Sequence, residues 1–543
     1  MVMDYAQASS KRLNVEDDGI FSSVQMRVQE YMYGHRILNE QVPYMIVLEA
    51  LTVYASKKRG STIVSSGYHE KFIYEVPYRE KLRFLLFQDR NLEQIISDTK
   101  IPLSYKFKSW KESVNKQYQP SIENNKAFDY LEEIFDSLHN VHQAVKLLKS
   151  MELDIINSRR WTSRFLSVSG PDMILPDFNI KGNNWSYDRR FFARGGELIY
   201  LMLNRSSHAK RVKKLIEDTF LNKDDQINKI ARILSGQQED KKSDLTSDSK
   251  SEPSDSQENN KINSSQTTIG YLPYHYHESY DLIASDWCKI LESQLPKQLK
   301  FEPLFRITGI NLLGYLIART KAIRGAEEPT YIIADLTDGE NRKIREAAKT
   351  NFNQHRFEAQ NAVKCYIEII LSENDRWKSS LESNNIGEAK KAIKDCFYTK
   401  ELEEKAESVE KLKDDFVNLA NKRSRNNIND YLLPLSRNSG LVTTRQGIGP
   451  WFAIDDKLLV ALVLASVDEA VELQDFLACL HKKYGLIIGP VEAREAFGEI
   501  RTEAYNTNLV ALEKRLTQLS LTKRLSDDCA FVMNPYTPKK EYD

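Results

Sequence analysis

At 543 residues the chain is too long for a single hydrophobic core, and roughly three or four domains are expected. Its 41% apolar and 28% charged residues are ordinary for a globular protein. The 77 basic residues balance 77 acidic ones, which excludes a uniformly basic, nucleic-acid-coating surface and leaves room only for a local basic footprint.

The first eighteen residues, MVMDYAQASSKRLNVEDD, contain no apolar run of the secretory kind. The longest apolar run, Leu458–Val467, is far too short to span a membrane. The cysteines (Cys288, Cys365, Cys396, Cys479 and Cys529) contain no CxxC pair, so a disulfide framework or zinc ribbon is not expected. A cytoplasmic protein with no membrane partner is the expectation.

Residues 1–235 read as a mixed helical domain. PYMIVLEALTVYA predicts a buried helix from near Pro43, Lys71–Val76 a strand, Tyr78–Phe87 a helix, and Ala127–Ser150 one amphipathic helix. Arg194-Gly195-Gly196-Glu197 opens a further apolar helix, where paired glycines would admit a phosphate close to free backbone N–H groups. From Arg159 to Arg232 there are 15 Lys/Arg against 8 Asp/Glu, and aromatic residues lie between the cations. That mixture suits nucleic-acid phosphates and bases, so Arg159, Arg160, Arg189, Arg190, Arg194, Lys210, Arg211, Lys213 and Lys214 are candidate contacts; the competing reading is a solvated face above an aromatic core.

Residues 236–268 are almost wholly Ser, Asp, Glu, Lys, Asn and Gln, and read as a disordered polar linker. Residues 269–430 read as a helical middle domain. Tyr280–Leu295, Leu304–Arg319 (apolar almost all round), Arg342–Leu371 and Ile386–Lys422 are its helices, and Tyr331–Leu336 is its strand. His275 and His277 alternate within an aromatic run, which favours a domain edge anchored by tyrosines over a metal site. His139 and His142 lie three apart without a metalloprotease carboxylate. No metal and no cofactor is expected, and no catalytic residue is assigned. Asp335 ends a strand with Glu340 and Arg345 nearby, so a metal-dependent nuclease centred on Asp335 stays as an alternative.

Residues 431–543 read as a winged-helix-like domain, with helices over Asp456–Val467, Glu469–Tyr484 and Asn506–Ser520 and then a hairpin over Thr522–Met533. On the third helix Asn508, Lys514, Arg515 and Gln518 are expected to face outward, with Lys514 and Arg515 as DNA-contact candidates. Against that, Arg437–Asp543 carries 13 basic and 15 acidic residues, which favours protein docking at least as much as DNA.

Several segments taken together carry a resemblance: PYMIVLEAL with YREKLRFLLF, FFARGGELIYLML, PLFRITGINLLGYLIAR with YIIADL, and KKYGLIIGP with LSDDCAFVMNPY. The chain resembles the accessory proteins encoded beside ATPases, methyltransferases and nucleases in bacterial anti-phage defence islands, methylation-associated defence being one example. The resemblance implies a place in a multi-protein complex that senses or acts on foreign DNA, and it implies no catalytic residue.

The expectation is therefore a mainly α, multi-domain protein with a minor α+β component and a winged-helix-like C-terminal domain. It would be a non-catalytic subunit of a defence or DNA-processing complex. Its expected partners are other subunits of the system and double-stranded DNA. The alternatives are the nuclease above and a pure protein-docking scaffold.

Overall fold

The computed structural model describes residues 28, 32–33, 42–55, 58–59, 72–75, 90–118, 128–129, 131–149, 178–181, 184–187, 195–222, 224–234, 266–269, 276–326, 329–397, 402, 406–424, 430–498, 502–524 and 530–537. The N-terminal block contributes α1 (Pro43–Ala55), β1 (Lys58–Arg59), β2 (Phe72–Glu75), α2 (Arg90–Ser97), α3 (Lys106–Tyr118), α4 (Leu138–Lys149), β3 (Phe178–Lys181), β4 (Asn184–Tyr187), α5 (Gly195–Arg205), α6 (Ala209–Phe220) and α7 (Gln226–Leu234). Next come β5 (Gln266–Ile269), α8 (Glu278–Glu292), α9 (Phe301–Ile323), β6 (Ile332–Ile333), α10 (Arg342–Ser372), α11 (Asp375–Glu382), α12 (Ile386–Phe397) and α13 (Val409–Ser424). The last block holds α14 (Asp430–Ser439), β7 (Val442–Arg445), β8 (Gly449–Phe452), α15 (Asp456–Ser466), β9 (Ala470–Glu472), α16 (Leu473–Tyr484), β10 (Leu486–Ile487), α17 (Pro490–Phe497), α18 (Glu503–Gln518), β11 (Thr522–Arg524) and β12 (Ala530–Met533). Helices dominate and the strands are few and small, so the protein is mainly α.

The apolar circumference of α9 explains its place. Phe301, Leu304, Ile307, Leu312, Tyr315 and Ile317 point in different directions around the helix and are all buried, because α1, α8, α10, α14 and α15 pack around it. Gly309 makes the closest of these approaches possible. A Cβ there would lie 1.8 Å from Ser439 Oγ and 2.8 Å from Pro43 Cγ, so α1, α9 and α14 meet only over a hydrogen atom. The last block is pinned to this core by a buried carboxylate. Asp286 of α8 accepts from Lys483 Nζ at 2.6 Å, Tyr484 Oη at 2.8 Å and Asn311 Nδ2 at 2.9 Å, which joins α8, α9 and α16.

Three small sheets organise the C-terminal half, one of them the antiparallel hairpin of β7 and β8 with Val442 opposite Phe452. Ile332 and Ile333 of β6 run parallel to Leu486 and Ile487 of β10, and a parallel bridge joins Asp335 to Ala453 on the next register. The third sheet has the order β11–β12–β9, antiparallel throughout, with Val532 opposite Val471.

Several expectations change in detail. The helix expected over Ala127–Ser150 is interrupted at residues 135–137 and begins again at Leu138, where Ser137 Oγ accepts from Asn140 N–H at 3.3 Å. The helix expected over Ile386–Lys422 is two helices, α12 and α13, and Asn384 Oδ1 receives the N–H of Val409 at the start of α13. The helix expected from Glu469 starts at Leu473, because Ala470–Glu472 is drawn into a strand by β12. Gln266–Ile269, three of whose residues fall in the stretch read as a linker, pairs antiparallel with β2. The expected helix over 78–87, residues 236–265 and residues 525–529 within the expected hairpin lie outside the described residues.

Candidate nucleic-acid interface

Of the sequence-predicted contacts, Arg159, Arg160, Arg189, Arg190 and Arg194 lie outside the described residues. The other basic candidates of that region stand on α6, whose Val212, Ile216 and Phe220 form its buried stripe. This stripe turns Lys210, Arg211, Lys213 and Lys214 outward, and all four are exposed. Their charges are not equally available. Arg211 makes a bidentate pair with Glu292, Nε to Oε1 and Nη2 to Oε2 at 2.7 Å each, and this raises its pKa. Lys213 Nζ lies 3.8 Å from Glu217. Lys210 and Lys214 have no carboxylate partner among the described residues.

The paired glycines at 195–196 do not cradle a phosphate. A Cβ on Gly196 would lie 2.3 Å from Glu49 Cβ, so the glycine lets α5 cross α1, and the Gly196 N–H donates to the Glu49 carboxylate. A buried carboxylate already fills the place expected for the anion.

On α18, Lys514 and Gln518 are exposed as expected, but the other two residues of the expected outward face turn inward. Asn508 is fully buried: its Oδ1 accepts from Leu336 N–H at 2.7 Å, and its Nδ2 donates to Ala334 O at 2.9 Å and Ile488 O at 3.0 Å. It closes the open polar groups beside β6 and β10, which a side chain reading DNA bases cannot do at the same time. Arg515 is largely buried and turns back to Ile454 O and to the Asp338 carboxylate.

Asp335 is also turned inward. It is 1% exposed; Oδ1 accepts from the Thr337 N–H and hydroxyl at 2.7 Å each, and Oδ2 accepts from Trp451 Nε1 at 2.9 Å. Both oxygens are engaged by the protein, and the carboxylate fixes the turn that follows β6. That turn runs from Thr337 to Glu340, with Glu340 N–H donating to Thr337 O at 3.0 Å, and Asp338 and Gly339 have φ of 55° and 78°. Arg345 Nη1 donates to Gly339 O at 2.9 Å and Arg445 Nη2 donates to Asp338 O. Three arginines, one each from α10, β7 and α18, therefore hold this turn. Sequence reading missed the cluster because its members are brought together only by the fold.

The histidine expectations resolve structurally. His277 Nδ1 accepts from Ser279 N–H at 3.1 Å and caps α8, with Tyr280 and Tyr315 each 5.9 Å from its ring. Burial, helped by the Arg319 charge, lowers its pKa to about 4. His275 is outside the described residues, and His139 Nε2 contacts Gln143 Nε2 at 3.1 Å. Among the described residues no group of three or more His, Cys, Asp or Glu is placed to hold a metal ion, and no helix is long and apolar enough to cross a membrane.

Residues 333–533, a little over a third of the chain, match a family model described as methylation-associated defense system protein MAD7. The matched span takes in KKYGLIIGP and most of LSDDCAFVMNPY, so the likeness to an accessory protein of such a system holds over this part of the chain. No curated protein and no solved structure matches the chain.

Proposed function

We propose that the chain is a non-catalytic, cytoplasmic subunit of a methylation-associated anti-phage defence system, and that it holds double-stranded DNA for the other components. The match over residues 333–533 carries this reading. The order α15, β9, α16, β10, α17, α18, β11, β12, with β9 joining β12 beside the hairpin, supports a winged-helix-like arrangement for the C-terminal block in which β10 and α17 are inserted before the third helix. The exposed cations of α6 support contact with phosphates.

The test of membership is genetic. Removing the gene from a complete defence operon is expected to lower protection against phage, and protection unchanged by the deletion would sink the subunit reading. DNA contact is read by anisotropy of a labelled duplex, titrated with salt in the absence of metal. The double variant Lys210→Glu/Lys214→Glu is expected to weaken binding about tenfold or more and to flatten the salt slope by about two phosphate contacts.

One observation favours a second reading, in which the C-terminal block docks a protein. Asn508 and Arg515 are committed within the chain, and Val510, in the middle of α18, is 65% exposed. The nuclease centred on Asp335 draws no such support, since its carboxylate already accepts three hydrogen bonds.

A further inference from the structure

The arginine cluster around the Thr337–Glu340 turn is a surface that the α6 lysines do not account for; of the residues expected on α18 it includes Arg515 and borders Lys514. Asp338 is a non-glycine residue in the left-handed region, a strained conformation that is kept where the surroundings enforce it. Arg345 and Arg515 do the enforcing, and Asp335 and Trp451 support the turn from beneath. Gly339 brings two of the guanidinium side chains close together. A Cβ there would lie 3.1 Å from Trp451, 3.4 Å from Arg345 Cδ and 3.6 Å from Arg445 Nη1.

Acidic neighbours neutralise only part of this surface. Arg515 is met by Asp338 and, at 3.9 Å, by Asp456; Arg345 lies 3.7 Å from Glu346, and Lys343 3.7 Å from Glu503. Glu340 is exposed beside them. Four further exposed cations, Arg342, Arg437, Arg445 and Lys514, have no carboxylate partner among the described residues. Arg437 is fixed against the β7–β8 hairpin by a 2.9 Å hydrogen bond from Nη2 to Thr444 Oγ1, and Arg445 by its bond to Asp338 O.

We propose that this surface is the seat of the DNA backbone, with Arg342, Arg437, Arg445 and Lys514 each facing a phosphate and Arg345 and Arg515 holding the turn that spaces them. Exposed cations carried on four separate elements suit a polyanion whose charges recur, more than a single small anion. Guanidinium groups already oriented by hydrogen bonds lose less freedom on meeting phosphate. The proposal rests on the reading that the chain contacts DNA, and it names the site within the family-matched stretch.

The test uses the full-length protein and a labelled duplex of about 30 base pairs, titrated with salt without metal. Two double variants are compared, Arg437→Glu/Arg445→Glu and Arg342→Glu/Lys514→Glu; the second pair makes no hydrogen bond to the turn. Each is expected to weaken binding at least tenfold and to lower the log–log salt slope by about two, with thermal melting unchanged in the second pair. Wild-type affinity in both pairs, with binding lost in Lys210→Glu/Lys214→Glu, overturns this site and leaves the DNA reading standing. Absence of wild-type binding at low salt overturns both. Undiminished DNA binding with loss of co-purifying partner subunits assigns the surface to a protein and likewise overturns the proposal.

Discussion

Asp335 is the acceptor for three hydrogen bonds beneath the turn that follows β6. Replacing it with alanine leaves the Trp451 indole N–H and the Thr337 N–H without their acceptor in a buried setting. A loss of about 3 kcal/mol is expected in chemical denaturation. Wild-type stability combined with lost protection would return this carboxylate to chemistry. His277 makes a second prediction. Its folded pKa of about 4 lies below the ordinary histidine value of about 6.5, so the unfolded chain binds more protons in acid. The stabilisation from His277 is full above about pH 6.5 and is lost as pH falls towards 4, by roughly 3 kcal/mol at most. In His277→Asn the cap acceptor stays while the titration is removed, so the difference in stability from wild type should shrink with acid across that window. A constant difference would show that another group is responsible.

At the scale of elements, the end of α16 and the start of β6 depend on one glycine. Gly485 caps the helix at φ 69°, a Cβ there would lie 2.1 Å from Thr330 O, and its own carbonyl receives Ile332 N–H at 2.8 Å. Gly485→Ala is expected to cost about 2 kcal/mol or more in thermal melting. Gly325, with φ 68° but open space around it, should tolerate asparagine for under about 1 kcal/mol. The helix end was legible in Lys482-Lys483-Tyr484-Gly485, because capping is local chemistry, and the long helices were legible because their apolar stripes repeat within a few turns. The strand β9 was not. Three residues have no period of their own, and Ala470–Glu472 becomes a strand only beside β12, some sixty residues later. The candidate site failed in the same way. Asn508 looks like a surface residue until the open backbone groups of Ala334, Leu336 and Ile488 surround it, and Arg445 gives no sign that Asp338 lies beside it.

For the whole molecule, the limits of the family-matched stretch do not coincide with the limits of the core. α14 and α15 rest on α9, which lies before residue 333, and Lys483 finds its carboxylate on α8. A fragment spanning 333–533 bares those faces and strands the Lys483 charge, so it is expected to lack a cooperative thermal transition that the full chain shows. A sharp transition in the fragment would mean that the stretch folds without α8 and α9.

Parallel pairing of Ile332 with Leu486 has a consequence for synthesis. When residues 332–335 leave the ribosome, both of their neighbours, β10 and the Ala453 segment, are still untranslated. At roughly 5–20 residues per second the wait for the last of them is on the order of ten to thirty seconds. Through that interval the central helix α9 stands without α14 and α15, and an apolar surface of this kind is what holding chaperones bind. Yield of the full-length protein should therefore depend on translation speed more than its final stability suggests.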